Sequence, residues 1–147
     1  MTVGTGSFDV LILKTAELFC SKPQFEVVYQ VGNSKTNFNM SVNSFLDNFD
    51  DVVDTSDLVV THAGAGTVFS LLEKKKLFIV VPNQQRADKH QLDIAHWLYE
   101  NDYCEVCFNI DEFDLALSNA VTRRHSYRNY NVEKFAIASF MEEIIYA

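Results

Sequence analysis

The sequence has no apolar run approaching the ~20 residues a helix needs to cross a bilayer. Its first residues lack the charged start, apolar stretch and cleavage site of a secretory signal. A cytoplasmic protein is the expectation. Cysteine is scarce and odd in number, three in 147 residues, which argues against a disulfide framework. Positive charge is scarce too: 12 Lys and Arg stand against 20 Asp and Glu, for a net charge of −8. That balance argues against broad binding to nucleic acid or to an anionic membrane surface, but leaves room for a small local basic site. No Asp-x-Asp metal signature occurs. Cys104-Glu-Val-Cys107 lacks two further ligands at zinc spacing, and it falls in a strand-like segment whose residues three apart point to opposite faces. Neither a metal nor a cofactor is expected.

What is present is an alternation of short apolar runs and helical patterns. Strands are predicted at Met1 to Val3, Phe25 to Val31, Met40 to Ser44 (weakly), Leu58 to Thr61, Leu77 to Val81 and Cys104 to Phe108. Helices are predicted over Phe8 to Cys20, Ser44 to Val53, Thr67 to Lys75, Lys89 to Asn101, Glu112 to Thr122 and Asn131 to Tyr146. Strands alternating with helices imply an α/β fold, with a Rossmann-like, mainly parallel sheet covered by helices on both faces. The fully apolar runs Leu58-Val-Val60 and Phe78-Ile-Val-Val81 suit strands buried on both sides. Residues 1–130 form the expected domain, with 131–147 as a C-terminal helix packing on it. In such folds ligands bind at the carboxyl ends of the strands. The loops of interest are therefore Gly4 to Ser7, Gly32 to Ser34, His62 to Thr67 and Pro82 to His90.

The segment from Leu58 to Phe69 runs from a buried strand through His62-Ala-Gly64-Ala-Gly66-Thr67 into a helix. A helix start offers unpaired backbone N–H groups and about half a positive charge, and glycine lets an anion approach the backbone closely. The loop suits a diphosphate; a tight structural connection is the other reading. His62 at the strand end either faces the same pocket or is a hydrogen-bonded structural residue. The dinucleotide fingerprint G-x-G-x-x-G is not met, and no Lys follows the glycine as a P-loop requires. Asp50 and Asp51, with Asp47 and Asp54, read as an acidic solvated helix surface.

The string His62 to Thr67, the strand ending at Pro82, and Asp88-Lys-His90-Gln91-Leu-Asp-Ile-Ala95 together resemble the glycosyltransferase family 28 C-terminal-domain subunits. These include the catalytic subunit of the dolichol-linked N-acetylglucosaminyltransferase, the small subunits of bacterial two-component exopolysaccharide transferases, and the nucleotide-sugar half of the enzyme that makes lipid II. Thr2-Val-Gly-Thr5, Phe8-Asp9-x-Leu11-Ile12 and Gln30-Val-Gly-Asn-Ser34 extend the resemblance over Met1 to about Val106.

The resemblance implies the C-terminal half of a GT-B glycosyltransferase. That half binds a UDP-sugar and acts as an inverting hexosyltransferase, without a metal or cofactor, on a polyprenyl-diphosphate-linked acceptor. The sugar is N-acetylglucosamine or another hexose. It further implies that Gly64, Ala65, Gly66 and Thr67 hold the diphosphate, and that Gly4, Thr5, Gly6 and Ser7 lie beside it. His90 and Gln91 fall where the family contacts the donor sugar; plain helix-surface polarity is the alternative. Backbone atoms between Val106 and Ile110 are expected at the uracil. Ser70 stands where many relatives carry a ribose-binding Glu, and Glu73 lies one turn further on. The catalytic base is open, with His62 a candidate. The family also implies a membrane-anchored partner carrying the acceptor site, activity only with that partner, and a location peripheral to the membrane; a homodimer through the wide apolar helix, when the partner is absent, is left open. The apolar helix over 131–147 and the basic segment Arg123 to Tyr130 are candidate docking elements; packing on the domain itself and a solvated linker are the respective alternatives. A non-catalytic, UDP-sugar-binding regulatory subunit is the other functional reading.

Overall fold

The computed structural model describes residues 1–35, 40–87 and 89–131. Its elements are helix α1 (Asp9–Cys20), helix α2 (Phe49–Thr55), strand β1 (Val59–Thr61), helix α3 (Ala65–Glu73), strand β2 (Phe78–Val80), helix α4 (His90–Glu100), strand β3 (Glu105–Val106), a 3-10 turn at Ile110–Glu112, and helix α5 (Phe113–Thr122). The helix expected over 131–147 lies, apart from Asn131, outside the described residues.

The three strands form a parallel sheet in the order β1-β2-β3, with Val60 opposite Ile79 and Val80 opposite Val106. Parallel bridges extend this order beyond β1. Thr2 pairs with Thr61 on one side and with Gln30 on the other, and Gln30 pairs with Asn43. Numbered along the chain, the six extended segments lie in the spatial order 3-2-1-4-5-6, the doubly wound arrangement expected of a Rossmann-like domain. The first three segments are shorter than their apolar runs suggested. The turn at Gly4 follows directly on Val3, so the first segment meets its neighbours through only a few backbone bonds centred on Thr2.

Side chains alternate across the sheet and split the interior in two. Val59, Phe78, Val80, Cys104 and Val106 face one core, built with Val53 of α2, Val68, Leu71 and Leu72 of α3, and Ile94, Ala95 and Leu98 of α4. Val60, Ile79, Val81 and Cys107 face the other, built with Leu11 and Ile12 of α1 and Phe113, Ala116, Leu117 and Ala120 of α5. A sheet covered on both faces has no polar side, which is why β1 and β2 read as unbroken apolar runs. Cys104 and Cys107 fall in different cores, as strand geometry requires. Burial raises both thiols, Cys107 to about 11 and Cys104 well above its ordinary range, so neither is a ready nucleophile at neutral pH. Among the described residues, no His, Cys, Asp and Glu group has the makings of a metal site. Nor does any helix among them have the length and apolarity to cross a membrane.

Local endings differ from the sequence expectation for identifiable reasons. α3 starts at Ala65, two residues earlier than the pattern suggested, because Gly64 already accepts the first helical bond from Val68. α2 starts at Phe49 and not at Ser44, whose carbonyl is taken by Gly32 N–H. α3 and α4 both close with a residue at positive φ, Lys75 (53°) and Asp102 (56°). At each end two backbone bonds run back over the last turn, Lys76 N–H to Leu71 and Lys75 N–H to Leu72 in one, Tyr103 N–H to Leu98 and Asp102 N–H to Tyr99 in the other. The acidic surface of α2 is partly neutralised: Lys74 lies 2.7 Å from Asp54 and 3.4 Å from Asp50. The segment Arg123 to Tyr130 packs back on the domain. Arg123 donates to Asp102 at 2.7 Å, Tyr127 donates its hydroxyl to Glu105 at 2.8 Å, and Tyr130 joins Phe69, Trp97 and Tyr103 in an aromatic cluster.

Gly32 is the tightest point of the chain. Its φ is +55°, and a Cβ there would run into the carbonyl oxygen of Gly6 and lie 2.7 Å from that of Gly4. Gly32→Ala is expected to cost roughly 1–3 kcal/mol of stability, measured as a lower midpoint in urea unfolding. Gly66→Ala, in a helix with open space around the added carbon, is expected to leave that midpoint unchanged or slightly raised.

Candidate functional site

The strand order reverses between the Thr2 segment and β1, and chains leaving the two strands there turn away from each other. The loops after these two strands frame an open cleft of about 560 Å³. Gly4, Thr5 and Gly6 line it from the first loop, and His62 to Thr67 from the second. Arg86, His90 and Gln91 line it from the loop after β2 and the start of α4, and Phe45 and Phe49 close the side nearest α2. The floor is a small polar network: Thr2 Oγ1 accepts from Gly4 N–H and from Gln30 Nε2, both at 3.0 Å, while Gln30 Oε1 accepts from Leu46 N–H.

Helix α3 points its N-terminus into this cleft. Gly64 caps it without a side-chain bond, and the N–H of Gly64 itself turns back to His62 O at 2.8 Å. The N–H groups of Ala65, Gly66 and Thr67 have no partner in the first turn. Together with the helix macrodipole they present about half a positive charge. α4 begins at His90, on the same cleft. In a chain of net charge −8, no carboxylate among the described residues lines the cleft, whereas Arg86 does. The electrostatics therefore favour an anion, and the volume suits something larger than a single phosphate.

The glycines divide into two roles. A Cβ at Gly64 would lie 2.8 Å from Nε2 of His62 and 2.9 Å from Cε1, and one at Gly4 would lie 3.2 Å from Cε1. Both positions are bare because the imidazole packs over them. Gly66 meets nothing within 4 Å, so the protein interior does not demand a glycine there, and the bare face opens on the cleft. His62 Nδ1 is buried with no protein hydrogen-bond partner. Burial, and secondarily the charge of Arg86, hold the His62 pKa below its ordinary 6.5, so the ring is neutral at pH 7.

Most of the residues singled out from sequence converge here: His62, Gly64, Ala65, Gly66, Thr67, Gly4, Thr5, Gly6, His90 and Gln91 all line the cleft. Ser7 and Ser70 do not. Ser7 is exposed beyond the first loop, and Ser70 sits one turn along α3, half-buried and outside the cleft wall. Gln91 is already engaged, accepting from Asn83 N–H at 3.0 Å, so its oxygen braces the loop after β2. Gln30, from the string Gln30 to Ser34, lines the cleft too, and so do Arg86, Phe45 and Phe49, which were not singled out from sequence. Arg86 lies in a loop already marked by its position after a strand; the aromatic pair carried no local signal.

With this geometry in place, comparison with known proteins is informative. The model for the glycosyltransferase family 28 C-terminal domain matches residues 1–145. The UDP-N-acetylglucosamine transferase subunit ALG13 of Mus musculus is 31% identical over 120 residues, covering 73% of this chain and 10% of that protein. The subunit of the same name from Candida albicans is 32% identical over 76 residues, 52% of this chain and 26% of that protein. The UDP-N-acetylglucosamine--N-acetylmuramyl-(pentapeptide) pyrophosphoryl-undecaprenol N-acetylglucosamine transferase of a Sulfurihydrogenibium species is 28% identical over 114 residues, 73% of this chain and 32% of that protein. The chain thus spans a third or less of these relatives. No solved structure gives a significant match.

The depressed His62 pKa has a pH signature. Between that pKa and 6.5 the unfolded chain binds the proton and the folded chain does not, so stability rises with pH across this window and is lost as pH falls below 6.5. Urea midpoints measured from pH 7.5 down to 5 are expected to fall less steeply in His62→Gln than in the parent chain.

Proposed function

This chain belongs to the glycosyltransferase family 28 C-terminal domain family, and from that premise we propose that it is the donor-binding subunit of an inverting, UDP-sugar-dependent glycosyltransferase. The observation that carries this is the start of α3: three amides without a partner among the described residues, opening on a cleft that none of the described carboxylates lines, at the switch in strand order. In this reading the amides of Ala65, Gly66 and Thr67 and the Thr67 hydroxyl hold the donor diphosphate. Arg86 lies beside Gly6, and His90 faces the sugar. The acceptor oxygen forms a bond to the anomeric carbon as the bond to the diphosphate oxygen breaks, and the hydroxyl proton passes to a base. The helix start stabilises the charge that grows on the departing UDP. Neutral His62 is the base candidate within the cleft.

The acceptor is a polyprenyl-diphosphate-linked sugar, presented by a membrane-anchored partner; the transferred group is N-acetylglucosamine or another hexose. The names of the relatives support this reading, since two are subunits of UDP-N-acetylglucosamine transferases and a third uses a pyrophosphoryl-undecaprenol acceptor. One observation favours the second reading, a non-catalytic regulatory subunit: Ser70, at the position expected to hold ribose, lies outside the cleft lining.

Calorimetric titration with UDP is the direct test. Binding is expected, and Gly66→Asp, which puts a carboxylate among the free amides, should weaken it by at least about tenfold, the scale of one charge-assisted hydrogen bond. Absence of UDP binding by the folded parent chain would sink both readings. UDP binding without sugar transfer, when the chain is combined with its partner and a lipid-linked acceptor, would leave the regulatory one.

A further inference from the structure

At the end of the sheet opposite the cleft, where β2 begins, a second cavity of about 80 Å³ lies under the segment that follows α5. Lys75, Lys76, Arg124 and Arg128 line it together with Tyr127 and Asn129, and among the described residues no carboxylate is in its wall. Four of the chain's 12 Lys and Arg side chains therefore meet at one small opening in an acidic protein.

The neighbouring cations show that pairing is the rule here. Lys74 is held by Asp50 and Asp54, and Arg123 by Asp102 and Glu105. Among the described residues, the four that line the cavity have no such carboxylate. Lys76 donates to the backbone carbonyl of Asp54 at 3.1 Å, and Arg124 donates its Nε to His125 at 3.0 Å. Among the described residues, the side chains of Lys75 and Arg128 have neither an ion pair nor a hydrogen bond. Helix ends account for part of the clustering, since α3, α4 and α5 all finish at this pole and carbonyl ends favour cations. Three such ends carry about −0.5 each, and the second carboxylate beside Lys74 and the second beside Arg123 offset more of the four. Lys75 and Arg128, both exposed and without a carboxylate partner among the described residues, are the two left open to an anion.

The cavity of about 80 Å³ suits a group of a few heavy atoms. The planar fork of Arg128 and the point charge of Lys75 suit phosphate oxygens, and Asn129 adds a neutral donor. We infer that this cavity binds a single phosphate group, presented either by a lipid headgroup or as free phosphate, at a site separate from the donor cleft.

Inorganic phosphate titrated into the full chain, followed by amide NMR, resolves the two sites. Shifts at Asn129 and Tyr130 are expected, distinct from any at Ala65 to Thr67. Lys75→Gln combined with Arg128→Gln should weaken phosphate binding at Asn129 and Tyr130 by about tenfold, while UDP titration, which reports the cleft and an intact fold, stays unchanged. Co-sedimentation with phosphatidylcholine vesicles, with and without phosphatidic acid, separates the sources. Binding that needs phosphatidic acid and is lost in the double variant identifies a headgroup; shifts with phosphate alone and no vesicle binding identify the free anion. If neither phosphate nor phosphatidic acid perturbs Asn129 and Tyr130, or if the double variant responds like the parent, the inference is overturned. Its failure leaves UDP binding at the cleft untouched.

Discussion

Thr2 is the hinge of the architecture. It pairs in parallel with Gln30 on one side and Thr61 on the other, so the chain must turn opposite ways as it leaves the two central strands. Everything at the cleft depends on that divergence. The first loop has to fold tightly against the second segment, which places Gly32 under the carbonyls of Gly4 and Gly6. The second loop has to start a helix at once, which leaves the opening amides of α3 directed at the gap. His62 then fills the space between the loops, its ring laid over the bare faces of Gly4 and Gly64.

This packing changes what the glycine-rich string means. Read as a motif, each glycine serves a bound phosphate. In three dimensions Gly64, like Gly4 of the first loop, makes room for a neighbouring imidazole, and within the string Gly66 alone is bare toward the cleft. The anion-binding character thus rests more on free amides, helix polarity and the lack of a carboxylate among the described lining residues than on the count of glycines.

Much of the fold was legible because parallel strands buried on both faces leave unbroken apolar runs, and β1 and β2 carry them. The outer segments around Gln30 and Asn43 were less so. Phe25 and Val28 are exposed despite their type, so apolarity overstated pairing there. The closures of α3 and α4 at Lys75 and Asp102 gave no signal, since neither is the glycine that usually takes a positive φ. At the site, residues carried by the loop motifs were found, and those brought in by packing, Arg86, Phe45 and Phe49, were not. The basic segment Arg123 to Tyr130 stood out as a charge island, but its tie to Asp102 and Glu105 is a tertiary fact.

The bond from Asn83 N–H to the side chain of Gln91 has a wider meaning. It lets an amide side chain stand in for a stretch of main chain and fastens the end of β2 to the start of α4. Gln84, reaching Phe108 O at 2.6 Å, fastens the same loop sideways. The span between these anchors sets how many residues fit, so the loop bearing Arg86 and His90 has a fixed length. Homologous or engineered versions of this domain can exchange residue types along that stretch, but an insertion or deletion there forces both anchors to be rebuilt.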